Sequence, residues 1–162
     1  FARDKDGVVA SMLIAEMAAW YYSRGMNLYQ GLQELFEKYG FAKEGISTFT
    51  LKGKAGIEKI QGTMKALREN KSEKFGDIAI KAIRDYKTGE KVVFGCGVEK
   101  ITLPESNVLY YETVDGSWFC ARPSGTEPKI KLYMGTSADS VEESQAIIDG
   151  IAADAEKQFG LV

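Results

Sequence analysis

Residues 78 to 135 form a nearly continuous series of strand-like segments and tight turns, and no other feature limits the fold of this chain so strongly. The segments "IAIKAIRDY", "KVVFG", "NVLYYETV", "SWFCA" and "KIKLYMG" are rich in β-branched and aromatic side chains, which suit a pleated, half-buried surface. Between them lie polar turns, Lys87-Thr88-Gly89-Glu90 and Asp115-Gly116. Strands joined so briefly pair antiparallel.

Helices flank this run. From Ala55 to Glu69, Ile57, Ile60, Met64 and Leu67 recur at the intervals of one buried face. A last helix begins at Ser140, whose hydroxyl is placed to cap the amide of Glu143 while Glu143 reaches back, the pattern of a capping box. It runs to about Phe159 with Val141, Ile147, Ile148, Ile151 and Ala155 on its apolar side. The expectation is an α+β fold: a C-terminal antiparallel sheet of four to five strands with two helices packed on one face. A further strand, "GISTFTLKG", opens this part of the chain.

Upstream the pattern is helical. From Lys5 to Tyr22 the chain is apolar nearly all round, with Val9, Met12, Leu13, Met17, Trp20 and Tyr21 at helical spacing. Ser23-Arg24-Gly25 ends that helix, and a second follows with Leu28, Leu32, Leu35 and Phe36 on one stripe and Gly40 past its end. A hairpin with so much apolar surface and no sheet of its own reads as the end of a preceding α/β domain. The expected division is therefore residues 1–43 and 44–162. The opening is not read as a signal peptide, because Asp4, Asp6 and Glu16 interrupt it and its apolar run falls short of the ~20 residues that span a membrane. A chain that begins with Phe is read as a piece of something longer.

Composition narrows the chemistry. Among 162 residues the net charge is -2, whereas a groove for nucleic acid shows a basic excess, so no nucleic-acid partner is expected. Cys96 and Cys120 lack metal or redox spacing and read as reduced core residues of a cytoplasmic protein. There is no histidine. The commonest acid/base residue and zinc ligand are thus absent, and any catalysis by these residues alone would fall to carboxylates or lysines.

One loop carries more functional groups than a chain reversal needs. In "DGSWFCARPSGTEPKIKLYMG", strand alternation puts Ile130, Leu132 and Met134 on one face and Lys129, Lys131 and Tyr133 on the other. Arg122 ends the incoming strand, so it and Lys131 approach one pocket from either side of Ser124, Gly125 and Thr126. A guanidinium fork, hydroxyls and backbone N–H groups beside a glycine are the groups that satisfy a phosphate. The same residues also fit a plain turn, in which the hydroxyls cap the backbone and the lysines are solvated.

"RPSGTEPKIKLY" resembles the phosphate-binding loop of the α-D-phosphohexomutases, the phosphoglucomutase and phosphomannomutase family. "RDKDGVVASMLIAEMAAWY" and "TLKGKAGIEKI" resemble other segments of that family in the same order. The resemblance implies a four-domain enzyme, of which this chain holds the last helices of domain three and all of domain four. In that family a phosphoserine in domain one donates its phosphoryl group to a hexose phosphate through a bisphosphate intermediate, glucose 1,6-bisphosphate for a glucose enzyme. The implied phosphate ligands are Arg122, Ser124, Gly125 and Thr126, with Lys131 at a place where the family often has a basic residue. Lys5 matches a basic residue at the edge of the family's active site. The implied partners are a phosphosugar and the upstream domains of the same chain.

The family's catalytic serine-histidine segment and its Asp-Gly-Asp magnesium motif do not occur here, so neither catalytic residues nor ligands for the implied Mg2+ are expected in this chain, and the isolated chain is expected to be inactive. "VEES", Val141 to Ser144, imitates the family's sugar loop but falls in the first turn of the last helix, where it reads as capping. Cys120 reads as core, and Trp118 with Tyr110 and Tyr111 as sheet packing rather than sugar stacking. Lys52 and Lys54 read as a solvated helix approach, and Asp115-Gly116 as a hairpin turn. The favoured substrate pair is glucose 1-phosphate and glucose 6-phosphate. Phosphomannomutase, phosphoglucosamine mutase and a non-catalytic phosphate-binding or interaction module stay open.

Overall fold

A computed structural model of the chain describes residues 5–125 and 127–159. The chain divides into two compact units, Phe1–Phe41 and Ala42–Val162.

The first unit is a helical hairpin, α1 (Gly7–Ser23) and α2 (Leu28–Tyr39). Asp6 caps α1 by accepting from the amides of Val8 and Val9, and Asn27 with Gln30 forms a reciprocal capping box on α2. Tyr21 is the one large apolar side chain that the hairpin buries among the described residues, packed so tightly on Gly31 that a Cβ there would lie 2.3 Å from its ring. Arg24 ties the two helices with a bidentate pair to Glu34 and lies over the Trp20 ring. Within this unit Met12, Met17 and Trp20 stay 67%, 45% and 55% exposed.

The second unit is a sheet backed by two helices. Its elements are β1 (Phe41–Thr50), α3 (Gly53–Glu69), β2 (Lys74–Phe75), β3 (Ile78–Asp85), β4 (Glu90–Val93), β5 (Gly97–Lys100), β6 (Leu109–Thr113), β7 (Trp118–Pro123), β8 (Lys129–Ala138) and α4 (Val141–Gln158). The eight strands lie in the order β1-β8-β7-β6-β3-β4-β5, with β2 paired to β3. The α+β class, the antiparallel pairing and the two helices on one face are as the sequence implies. The sheet is larger than four to five strands. β2 is two residues inside the polar run after α3, and β5 is exposed at all four positions, so neither shows an apolar alternation.

Alternation in the central strands sorts the side chains. Phe119, Ala121, Ile130, Leu132 and Met134 join Ile60 and Met64 of α3 and Ile148, Ile151 and Ala155 of α4 in one core. Phe75, Tyr111 and Phe119 stack within it. Val141 instead stays 43% exposed, because it stands in the first turn of α4 before the apolar face reaches the sheet. Ser140 Oγ accepts from Glu143 N at 3.1 Å, while Glu143 Oε2 accepts from Asp139 N rather than from Ser140 N. "VEES" thus forms the first turn of α4, with Ser144 Oγ donating to Ser140 O at 3.0 Å.

The opposite sheet face holds Tyr110, Glu112, Trp118, Cys120, Arg122, Lys131 and Tyr133, none of them buried. Trp118 lies over Gly135, where a Cβ would come 2.5 Å from the indole nitrogen, so glycine is required there by close approach. Neither cysteine is in the core. Cys120 is half-buried on this outer face, and Cys96 is exposed in the turn between β4 and β5.

Candidate functional site

β7 and β8 pair so that Arg122 stands directly opposite Lys131, and Cys120 opposite Tyr133. Like charges facing each other across a ladder are unfavourable unless something neutralises them. Among the described residues neither Arg122 nor Lys131 has a carboxylate partner. With Pro123, Ser124, Gly125 and Tyr133 they line a cavity of about 310 Å³.

The loop that closes the hairpin is held by its own backbone. Ser124 N donates to Lys129 O at 2.8 Å, Lys129 N to Glu127 O at 2.7 Å, and Leu51 N at the end of β1 to Pro128 O at 2.9 Å. Ser124 Oγ accepts from Glu127 N at 3.3 Å. Gly125 stands clear of this bonding: a Cβ added to it would meet nothing within 4 Å. Its φ is not positive, so neither conformation nor internal packing calls for glycine. What the missing side chain leaves is open space beside two cations.

Of the six expected phosphate ligands, the cavity therefore gathers Arg122, Ser124, Gly125 and Lys131. Thr126 lies outside the described residues. Lys5 belongs to the helical unit, exposed one residue before the cap of α1. The Ser124 amide is spent on Lys129 O, so that residue's contribution to a ligand falls to its hydroxyl and not to its N–H. Lys129 shares the alternation of Lys131, but its ammonium turns to Glu127 Oε1 at 3.1 Å, and it lines an adjoining cavity that shares Pro123, Ser124 and Gly125 with the first and is walled by Ile57, Ile60 and Gln61 of α3. The site gains Tyr133, to which sequence reasoning gave a face but no role. Its signal was present in the period-2 step from Lys131.

The neighbours are chemically quiet. Burial pushes the Cys120 thiol upward, only partly offset by the backbone N–H of Tyr133 and the charge of Arg122, which is the opposite of an activated nucleophile. Tyr110 and Trp118 stack on each other at 5.5 Å, with Arg84 over Tyr110, while Tyr111 faces the core against Phe119. Asp115 serves its turn. Burial works against its charge, but hydrogen bonds from Thr113 Oγ1 and from Ser117 hold its carboxyl below the usual range.

The donor set does not fit the Mg2+ that the family resemblance implies. The cavity is cationic, and among the described residues no three carboxylates or thiols converge on a metal-sized point.

The second unit is thus an α+β domain with an open, doubly cationic hairpin loop. The model of the phosphoglucomutase/phosphomannomutase C-terminal domain matches residues 50–153. The chain belongs to that family. It is 31% identical over 143 residues to a phosphoglucomutase of Staphylococcus saprophyticus, covering 88% of this chain and 26% of the relative. It is 33% identical over 153 residues to one from Staphylococcus epidermidis, covering 93% of this chain and 28% of the relative. The chain thus spans about a quarter of the length of these curated relatives. A solved structure of parafusin, an exocytosis-sensitive phosphoprotein and phosphoglucomutase of Paramecium, matches in its open form with a TM-score of 0.60 at 17% identity, over 97% of this chain and 28% of that one. At that identity the likeness concerns the fold alone.

Proposed function

We propose that this chain is the C-terminal part of a phosphohexomutase that interconverts glucose 1-phosphate and glucose 6-phosphate, and that its hairpin cavity grips the substrate's phosphate. One observation carries the reading: Arg122 and Lys131 face each other in register, without a carboxylate among the described residues, beside a glycine that leaves open space. A phosphate dianion turns that repulsive pair into two charge-assisted contacts, each contributing ~1.5–3 kcal/mol. The Ser124 hydroxyl and the Gly125 amide complete the set of donors, and Thr126, next in the sequence, is a further proposed ligand.

In this role the domain holds and orients while phosphoryl transfer is carried out by other parts of the protein, so the chain alone turns over no substrate. Those parts also supply the magnesium site, and glucose 1,6-bisphosphate is the expected intermediate. Upstream domains of the same protein are the proposed partner of the helical hairpin, whose apolar side chains stay exposed within their own unit. The names of the staphylococcal relatives favour glucose over mannose or glucosamine. No helix among the described residues is long and apolar enough to cross a membrane, and we place the protein in the cytoplasm with phosphosugar metabolism.

Titrating the protein with glucose 6-phosphate, with sulfate in parallel, should move the amide resonances of Ser124 to Thr126 first. Shifts elsewhere with this loop silent would refute the site. A full-length protein that binds phosphosugar there and converts none of the hexose phosphates would point to a binding module instead.

A further inference from the structure

The cavity is larger than the anion it is built to hold. At about 310 Å³ it matches the lower end of small-molecule pockets, which start at roughly 300 Å³. The two cations are its charged wall, and Ser124 and Gly125 its loop. The wall left over belongs to Pro123, which opens the loop, and to Tyr133.

Tyr133 follows Lys131 by two residues on β8, so both point to the same side of the sheet with their Cα atoms about 6.8 Å apart along the strand. That step corresponds to the reach from a seated phosphate, across its ester oxygen, to the nearer hydroxyls of an attached sugar. Cys120, opposite Tyr133, is short and half-buried, and Tyr133 itself lines the cavity. The next outer-face position on β8 is Gly135, already covered by Trp118, so the cavity wall ends on the phenol. Among the described residues the Tyr133 hydroxyl has no hydrogen-bond partner. A phenol of this kind offers an apolar ring to sugar C–H groups and a donor-acceptor oxygen to a sugar hydroxyl.

We infer that Tyr133 is a sugar-contacting residue: the cation pair holds the phosphate, and Tyr133 packs on the hexose and hydrogen-bonds one of its hydroxyls. The inference rests on the phosphate reading of the same cavity. It also gives this domain a share in choosing the sugar, beyond gripping a phosphate common to every hexose phosphate.

The test uses the full-length protein and two probes, glucose 6-phosphate and inorganic phosphate, with binding measured by calorimetry. Tyr133→Phe should weaken glucose 6-phosphate binding about 3- to 10-fold, the range of one neutral hydrogen bond. Inorganic phosphate binding should stay unchanged. Tyr133→Ala should weaken the sugar phosphate further, with circular dichroism confirming that the variant is folded. Arg122→Ala should weaken both probes. Unchanged glucose 6-phosphate binding in both Tyr133 variants, with Arg122→Ala still damaging, would overturn the inference and leave the phosphate site standing. Equal losses of both probes in Tyr133→Phe would also overturn it, because the phenol would then act on the phosphate. If Arg122→Ala affected neither probe, the phosphate reading would fail and this inference with it.

Discussion

Arg68 and Arg122 sit on opposite faces of the same sheet and have opposite surroundings. Arg68, in the last turn of α3, donates from Nε to both oxygens of Asp85 at 3.2 and 3.1 Å and from Nη2 to Asn107 Oδ1 at 2.6 Å. Asp85 is 1% exposed and accepts also from Lys87 N at 3.0 Å. Every charge there is answered from within the fold. Arg122 is exposed, faces a second cation and meets no carboxylate among the described residues. The first arginine fastens a helix to a sheet, and the second leaves a positive field for something outside the chain. Closed pairs report on stability and open ones on binding.

The largest expected effect lies on the closed side. Arg68→Ala strands a buried carboxylate and should cost about 3–5 kcal/mol of stability in urea unfolding. Replacing both partners, Arg68→Met with Asp85→Leu, should recover most of that loss, since it is uncompensated charge and not the missing contact that costs most. A single variant with unchanged midpoint would break the comparison.

On the open side, Arg122→Ala should leave the unfolding midpoint within ~0.5 kcal/mol, as for surface changes that disturb no internal contact. If the proposed mutase function holds, in the full-length protein it should lower kcat/KM for glucose 6-phosphate by the equivalent of ~1.5–3 kcal/mol. Destabilisation with kinetics intact would reverse the assignment and make Arg122 structural.

Asp115 sharpens the contrast from a third direction, being a carboxylate satisfied by the Thr113 hydroxyl and the Ser117 amide, with no cation paired to it among the described residues. Its carboxyl is lowered in the folded state, burial being outweighed by the hydrogen bonds from Thr113 and Ser117. The stability it contributes is therefore complete above the usual carboxylate range and is lost as pH falls through the lower folded-state value. Asp115→Asn should cost about 0.5–1.5 kcal/mol at neutral pH and progressively less on acidification. A constant difference between variant and wild type across the acid range would contradict this.

The smallest effect distinguishes the cysteines. Cys96 is exposed, and Cys120 is half-buried with its thiol pushed up by desolvation. A thiol reagent at neutral pH should label Cys96 first, and mass spectrometry of the partly labelled protein would show the order.

Much of the architecture was legible because it rests on repeating physical patterns. Leu132 and Met134 alternate with Lys131 and Tyr133, and a pleated strand cannot bury the first pair without presenting the second. Ile60 and Met64 fall on one helical face for the same reason. Where no pattern existed, the elements were hidden: β5 is exposed at every position and β2 is two residues long. The core assignment for Cys96 failed because a cysteine's burial depends on where its turn lies, not on its residue type.

The residues themselves determined the fold class and the loop's chemistry, since periodicity is a property of the chain and a guanidinium, hydroxyls and a glycine within five positions are present before any folding. Tertiary structure decided which groups are left for a ligand. Strand register set Arg122 against Lys131, the hairpin's own hydrogen bonds spent the Ser124 amide, and Glu127 drew Lys129 aside. It also brought Arg68 to Asp85 across seventeen residues of sequence. The reason is that charges and donors are allotted by distance in space, which pairing and packing fix and linear spacing does not.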